Sequence, residues 1–323
     1  MNRMRGGMTP SSSKPAGEPV NRSAYLLMLI VTFFWAIGHP LGALILEVLH
    51  PFQLGAANLV IGFFCVFIFL LASGKIALVK KMKKTDILYS LLLGVFGFFV
   101  YNICTFSALA RIPASMNAVL VATNVIFITV IAAFVLKEKL YARKVFFILI
   151  AAGGAVLVIF NQGFSFSGTF RPQGSLFSLA GALSFSIYTV MGKQILERNE
   201  PIIITTLSLF SGAVLLTILT AFSTGFSDFS QLDGRTWTYV LIVGAGMIGL
   251  AYPLWFFALK KVKASHIAVF IYLTPVFATV LSYFILKETF SWLFYLGTAC
   301  ILGGIILINT LGDRVKGNPN LDG

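Results

Sequence analysis

Residues 24–160 and 174–310 carry one pattern twice, 150 positions apart and in a single unbroken register. Phe106-Ser107-Ala108-Leu109 pairs with Phe256-Phe257-Ala258-Leu259, and Leu136-Lys137-Glu138 pairs with Leu286-Lys287-Glu288. Gly153-Gly154 returns as Gly303-Gly304, while Gly42, Pro51 and Gly94 return as Gly192, Pro201 and Gly244. A register held over this length marks one structural unit that was duplicated.

What the unit is follows from its hydropathy. Apolar residues make up 58% of the chain and charged residues 11%, with a mean hydropathy of +0.92. Soluble domains run near half apolar and a quarter charged. The apolar residues fall in runs of about 20, the length a helix needs to cross the hydrocarbon of a bilayer. The expected fold class is therefore an all-α membrane protein. Ten transmembrane helices are predicted, at 24–46, 52–73, 85–107, 113–136, 143–161, 174–195, 201–222, 237–259, 264–286 and 291–311. The expected domains are a disordered cytoplasmic tail at 1–23, five spans in 24–161, five in 174–311, and a second cytoplasmic tail at 312–323. The first apolar run is full length and lacks a small-residue cleavage site, so it reads as a retained span.

Five spans per copy is an odd number. The second copy then enters the membrane from the opposite side, which makes the two units inverted five-helix repeats. Secondary transporters are built this way, with a site near the midplane between the halves. The charges favour one orientation. With both termini cytoplasmic, the cytoplasmic segments hold 20 of the 24 basic residues, leaving Arg111, Arg171, Arg235 and Lys287 on the other side. This bias alternates through every loop as the positive-inside rule expects. The whole net charge of +13 falls on the cytoplasmic face. A basic balance can signal nucleic acid, but here topology and anionic headgroups account for it. No nucleic-acid partner is expected. The expected partners are the lipid bilayer and a small-molecule substrate, and the chain is read as a monomer or weak homodimer in the cell membrane.

Several patterns carry no chemistry. Gly244-Ala245-Gly246-Met247-Ile248-Gly249 fits the dinucleotide-binding glycine motif. That motif has meaning only between a strand and a helix, and inside a span small residues instead let helices approach. Cys65, Cys104 and Cys300 lie in apolar spans at unrelated spacings and read as packing residues. The Asn21-Arg22-Ser23 sequon lies on the expected cytoplasmic side and is read as silent. All Asp, Glu, Lys and Arg residues fall in loops, tails or span ends. A nucleophile–base–carboxylate set or a metal cluster at depth has no residues to draw on, so neither an enzyme, a metal nor a cofactor is expected. A phosphorylated substrate would want buried Arg or Lys.

Neutral polar and aromatic residues remain at depth. They are Trp35 and His39 beside Pro40, Tyr101 and Asn102, Asn117, Thr123 and Asn124, Ser184 and Tyr188, Tyr252 and Trp255 flanking Pro253, and Tyr272 and Thr274 before Pro275. Singly, each serves equally well as an interhelical hydrogen bond or an interfacial anchor. Together at mid-depth they read as the lining of a cavity for a small neutral or zwitterionic molecule. The substrate-binding candidates are Trp35, His39, Tyr101, Asn102, Asn117, Asn124, Tyr188, Tyr252, Trp255, Tyr272 and Thr274. His39 has two readings: a proton carrier near neutral pH, or a neutral imidazole donating a packing hydrogen bond.

The chain resembles the drug/metabolite transporter superfamily, specifically its EamA-type ten-span carriers. The resemblance rests on Phe33-Phe34-Trp35-Ala36, on Ala108-Leu109-Ala110-Arg111-Ile112-Pro113-Ala114-Ser115, on Lys137-Glu138-Lys139-Leu140, on Gly153-Gly154, and on their second copies. Two positions depart from the family pattern. A proline expected in the middle of spans four and nine is present as Pro275 but replaced by Asn124-Val125 in the first copy, and an arginine position seven residues after Pro51 is Asn58. The resemblance implies alternating access, a cavity lined by spans one, three, four, six, eight and nine, and spans five and ten at the periphery. It also implies outward movement of amino acids, other metabolites or toxic organic compounds, with Glu138 and Glu288 capping helices and bridging the repeats. The readings that compete with an exporter of this kind are a nucleotide-sugar or sugar-phosphate exchanger and a membrane receptor. The first would need buried cations, and the second a soluble signalling domain.

Overall fold

The computed structural model describes residues 22–135, 141–160, 172–196, 198–259 and 270–311. The two tails, Glu138 and the first part of the ninth expected span lie outside the described residues. Every regular element among the described residues is helical. Eight helices are long and apolar enough to cross a membrane. They are α1 (Arg22–Ile45), α2 (Pro51–Ala72), α3 (Lys84–Leu109), α4 (Ala114–Val135), α5 (Ala142–Phe160), α6 (Gln173–Leu196), α7 (Pro201–Ser223) and α8 (234–259). Two shorter apolar helices follow, α9 (Leu273–Leu286) and α10 (Trp292–Leu311). The protein is an all-α, multi-pass membrane protein.

Local chemistry sets the ends. Pro51 opens α2, where a missing amide hydrogen costs nothing, and His50 and Gln53 close a capping box around that turn. Asp233 caps α8 by accepting from the Thr236 amide at 2.8 Å. The hydrogen bonds to Thr236 hold its carboxyl below the usual range. Lys287 ends α9 in the left-handed region (φ 56), the sole non-glycine residue with positive φ among those described.

Two irregularities recur 150 residues apart. Both α3 and α8 contain a π-helical stretch, at Val95–Val100 and Ile242–Leu250. The regular pattern of α4 lapses at 122–123, and the turn before α9 falls at Tyr272. A π-turn widens the ring and releases a carbonyl from the usual pairing. Each π segment has one carbonyl taken up by a side chain from elsewhere. Trp35 Nε1 (α1) donates to the Met247 carbonyl at 3.0 Å, and Ser184 Oγ (α6) donates to the Phe96 carbonyl at 2.8 Å.

The packing follows the same exchange. Gly38 of α1 faces the Met247 side chain of α8, and Gly97 of α3 faces the Tyr188 ring of α6. Gly244 of α8 makes room for Ile61 of α2, and Gly94 of α3 makes room for Ser211 of α7. Gly62 receives Ile248, and Gly212 receives Phe98. In each case the second contact is the first with both residue numbers moved by 150, one up and one down. The dinucleotide-like glycines are accounted for here: Gly244, Gly246 and Gly249 lie against Ile61, Phe34 and Cys65. Without a hydrophobic drive between helices in lipid, such close approach is the main source of association. The pair α5 and α10 packs backbone to backbone, with Gly154 against the Gly297 carbonyl and Gly304 against the Phe147 carbonyl.

Candidate functional site

Helix α1 sits among α3, α4, α8 and α9, and α6 packs on α3 and α4. Their mid-depth side chains form a continuous run of rings. Trp255 meets Trp35 (5.7 Å between centroids), Trp35 meets Tyr252 (6.1 Å), and Tyr252 meets Phe98 (5.9 Å). The run continues from Phe98 to Tyr188 (5.5 Å), from Tyr188 to Phe185 (5.7 Å), and from Phe185 to Tyr101 (5.3 Å). Five of the candidate residues, Trp35, Tyr101, Tyr188, Tyr252 and Trp255, are thus brought together on four helices. All five are half-buried. The Phe98 and Phe185 links are what the sequence reading missed, since a phenylalanine in an apolar span carries no distinguishing signal.

A polar cluster lies toward the end of the bundle where α4 begins. Asn117 is fully buried and its amide is the hub. Ser178 Oγ donates to Asn117 Oδ1 at 2.7 Å, and Asn117 Nδ2 reaches both the Thr105 carbonyl and His39 Nδ1 at 3.4 Å. The Thr105 carbonyl can only accept, which sets Nδ2 on its side and Oδ1 toward Ser178. With Nδ2–H pointing at it, His39 Nδ1 is an acceptor, and the ring proton belongs on Nε2. His39 thus meets Asn117 as an acceptor, where the packing reading had the imidazole donating. Ser178 and Thr105 were not among the candidates.

The remaining candidates separate. Asn102 is buried in a structural pair: it accepts from Asn58 Nδ2 at 3.0 Å and donates to the Phe98 carbonyl at 2.8 Å. The pair joins two amides on α2 and α3 in place of any charged side chain. Asn124 follows the break in α4, and its carbonyl accepts from Ser186 Oγ at 2.9 Å. Thus the span with Val125 where the second copy has Pro275 still interrupts its ladder, and a carbonyl just beyond the break is met from α6. Thr123 bonds back to the Leu120 carbonyl at 2.6 Å. Tyr272 packs against the apolar cluster of Met116, Val119 and Leu120, and Thr274 Oγ1 is buried with no hydrogen-bond partner among the described residues. Glu288 spans to the start of α4, where it accepts from the Ala114 amide at 2.7 Å, the Ser115 amide at 3.3 Å and the Ser115 hydroxyl. That is the capping contact expected of it.

Elsewhere, a groove of about 430 Å³ between α1 and α9 is lined by Leu29, Ile30, Phe33, Phe34 and Phe277, all apolar. Among the described residues no group of His, Cys, Asp and Glu could hold a metal ion.

Residues 22–160 and 172–310 each match the EamA-like transporter family. The chain belongs to that family. Family membership makes it a secondary transporter that moves a small molecule across a membrane, and not an enzyme. Among its relatives is an uncharacterized transporter of Clostridium kluyveri, 28% identical over 88% of this chain and 93% of that protein. Bacillus subtilis has YoaV, 26% identical over 87% of this chain and 94% of its own length. It also has YetK, 26% identical over 70% of this chain and 69% of its own length. The fold matches a solved crystal structure with a TM-score of 0.63 at 23% identity, covering 90% of this chain and 99% of that one.

Proposed function

We propose that this carrier exports a small neutral or zwitterionic metabolite, such as an amino acid, by alternating access at a cavity between two inverted five-helix repeats. The repeats would be 24–161 and 174–311, with both termini in the cytoplasm. The observation that carries the reading is the exchange of contacts: Gly38–Met247 with Gly97–Tyr188, and Ile61–Gly244 with Ser211–Gly94. Contacts that recur with the partners' halves swapped are the mark of a two-fold relation between them. Two units of five spans related in that way are inverted, and rocking of one against the other exposes a central site to each side in turn.

The run of rings would hold the apolar body of the substrate, with Trp35, Tyr252 and Trp255 on one side and Tyr101 and Tyr188 on the other. His39 and Asn117 would meet its polar group, with Asn124, Tyr272 and the Thr274 hydroxyl near the interrupted helices. Asn102 is assigned to the framework, because its amide is already used on both sides. A nucleotide-sugar or sugar-phosphate exchanger is disfavoured, since no cationic side chain stands among these residues to meet a phosphate.

The test is transport in proteoliposomes by Trp35→Ala and Tyr252→Ala. Each removes a large stacking surface, and aromatic pairs contribute about 0.5–1.5 kcal/mol beyond their area. Transport of the substrate at subsaturating concentration should fall by roughly 2- to 10-fold, while the protein stays folded in the membrane. Unchanged transport by both variants would assign these rings to packing.

A further inference from the structure

We propose that Glu288 is a releasable latch on one mouth of the central cavity, tying the end of α9 to the start of α4 and holding that mouth shut. The proposal rests on the alternating-access reading above and names the contact that must break for this mouth to open.

The geometry goes beyond an ordinary cap. Glu288 belongs to the turn after α9, while Ala114 and Ser115 open α4, so the three hydrogen bonds join segments 173 and 174 residues apart. Lys287, left-handed at φ 56 and ψ 32, turns the chain at the end of α9 immediately before Glu288. A non-glycine residue held there marks a turn fixed by its surroundings. The carboxylate meets the positive end of the α4 dipole, and its bonds are charge-assisted. It is also only half-buried, whereas Ala114 and Ser115 are buried. A carboxylate within reach of water can exchange these bonds for solvent, which one sealed in the interior could not do without a large desolvation cost.

The surroundings show why this contact is placed to gate. The polar cluster around Asn117 starts two residues beyond Ser115, so the latch and the cluster lie in succession over the run of rings. The seam between α2 and α7, by contrast, is fastened at both ends. Lys75 Nζ bonds Glu200 at 2.5 Å at one end, and Gln53 Nε2 donates to the Gly225 carbonyl at 3.1 Å at the other. A seam closed at both ends suits a pivot. The α4–α9 side, held at this mouth by one exchangeable carboxylate, suits a gate.

The experiment reads accessibility and needs no substrate. In a chain with Cys65, Cys104 and Cys300 replaced by Ser, Thr105→Cys places a thiol against Gly181 of α6, on the residue whose carbonyl meets Asn117. A membrane-impermeant maleimide is applied from the side that carries the 225–234 loop. With Glu288 present, labelling should be slow. Glu288→Ala should raise its rate by about tenfold or more, the ratio equivalent to losing one charge-assisted bond. Glu288→Gln, which keeps one acceptor for the Ala114 amide, and Ser115→Ala should fall between. If the variants lose thermal stability while the labelling rate stays that of the parent, Glu288 is a static cap and the latch is refuted. If Glu288→Ala does not fold, the Gln and Ser115→Ala variants decide, and parental rates in both overturn the proposal. Faster labelling together with normal transport by Trp35→Ala and Tyr252→Ala would uphold the latch while removing the assigned rings from the substrate site.

Discussion

Gly97→Ala tests the packing at the centre of the bundle. A Cβ on Gly97 would lie 2.5 Å from Tyr188 Cγ and 3.0 Å from its Cε2, inside the body of the ring. Tyr188 has little room to retreat, because Phe98 and Phe185 pack on it at 5.5 and 5.7 Å. Overpacking of this kind costs about 1–3 kcal/mol. The exchanged position supplies the control. A Cβ on Gly38 would meet Met247 Sδ more closely still, with Cγ and Cε at 2.8 Å, but that side chain has three rotatable bonds and can swing aside. Both substitutions gain up to about 1 kcal/mol of helix propensity, so their difference isolates the steric cost. In detergent, Gly97→Ala should melt roughly 2–12 °C below Gly38→Ala, at about 2–4 °C per kcal/mol. Tyr188→Ala opens a space into which the new methyl fits. The Gly97→Ala/Tyr188→Ala pair should therefore be more stable than the sum of the single changes predicts, by at least about 0.5 kcal/mol. Equal melting of the two glycine variants, or an additive pair, would refute the argument.

Two further outcomes follow from the same arrangement. A cysteine placed within 225–234 should react with an impermeant thiol reagent added outside the cell, and one within 76–84 should not; the reverse pattern would overturn the cytoplasmic placement of the termini, and labelling of both from one side would sink the inverted repeats. In proteoliposomes loaded with substrate, a pH gradient without a membrane potential should drive no accumulation if His39 binds by hydrogen bonds and does not charge during the cycle. Uphill accumulation that disappears in His39→Gln would make His39 the coupling site instead.

The spans were legible because hydrocarbon imposes a length and a composition on any helix that crosses it. Predicted and observed boundaries agree to within a few residues for α1 to α8. The π segments were not legible, since nothing in Val95-Phe96-Gly97 or Gly246-Met247-Ile248 distinguishes an i+5 bond from an i+4 bond. Among the site residues, the burial of the amides was readable and their use was not: Asn102 and Asn117 are both bonded across helices, yet Asn102 also bonds back to the Phe98 carbonyl and serves the framework. Hydroxyls were not readable. Thr206, Ser90 and Thr129 simply bond back to the carbonyl four residues earlier, as Ile202, Asp86 and Val125 accept from them. Ser178, which reaches Asn117, looks the same in sequence as these. Glu288 was readable from its place in the repeat, whereas the left-handed turn at Lys287 before it was not.

The exchanged contacts also explain why the repeat is clear in some stretches and hidden in others. Gly94 and Gly244 match because each makes room for a residue of the opposite half's second helix. Gly38 and Tyr188 do not match, yet they occupy the same place: one half presents the hole and the other the knob, and their partners Met247 and Gly97 are reversed to suit. What the duplication has kept at this interface is the fit, with identity free to drift so long as a large residue meets a small one. A carrier that alternates needs two arrangements of similar energy, and interfaces of matched fit on both sides of the centre provide for that. Direction must then come from what the two-fold does not repeat. The residues 150 away from His39, Asn117 and Ser178 are Thr189, Ile267 and Met28, so the amide–imidazole cluster exists toward one end of the molecule alone. In the proposed cycle a substrate is therefore met by rings at the centre and by hydrogen-bonding groups on the side where Glu288 holds the mouth. Its polar end would point toward the latch that must release it.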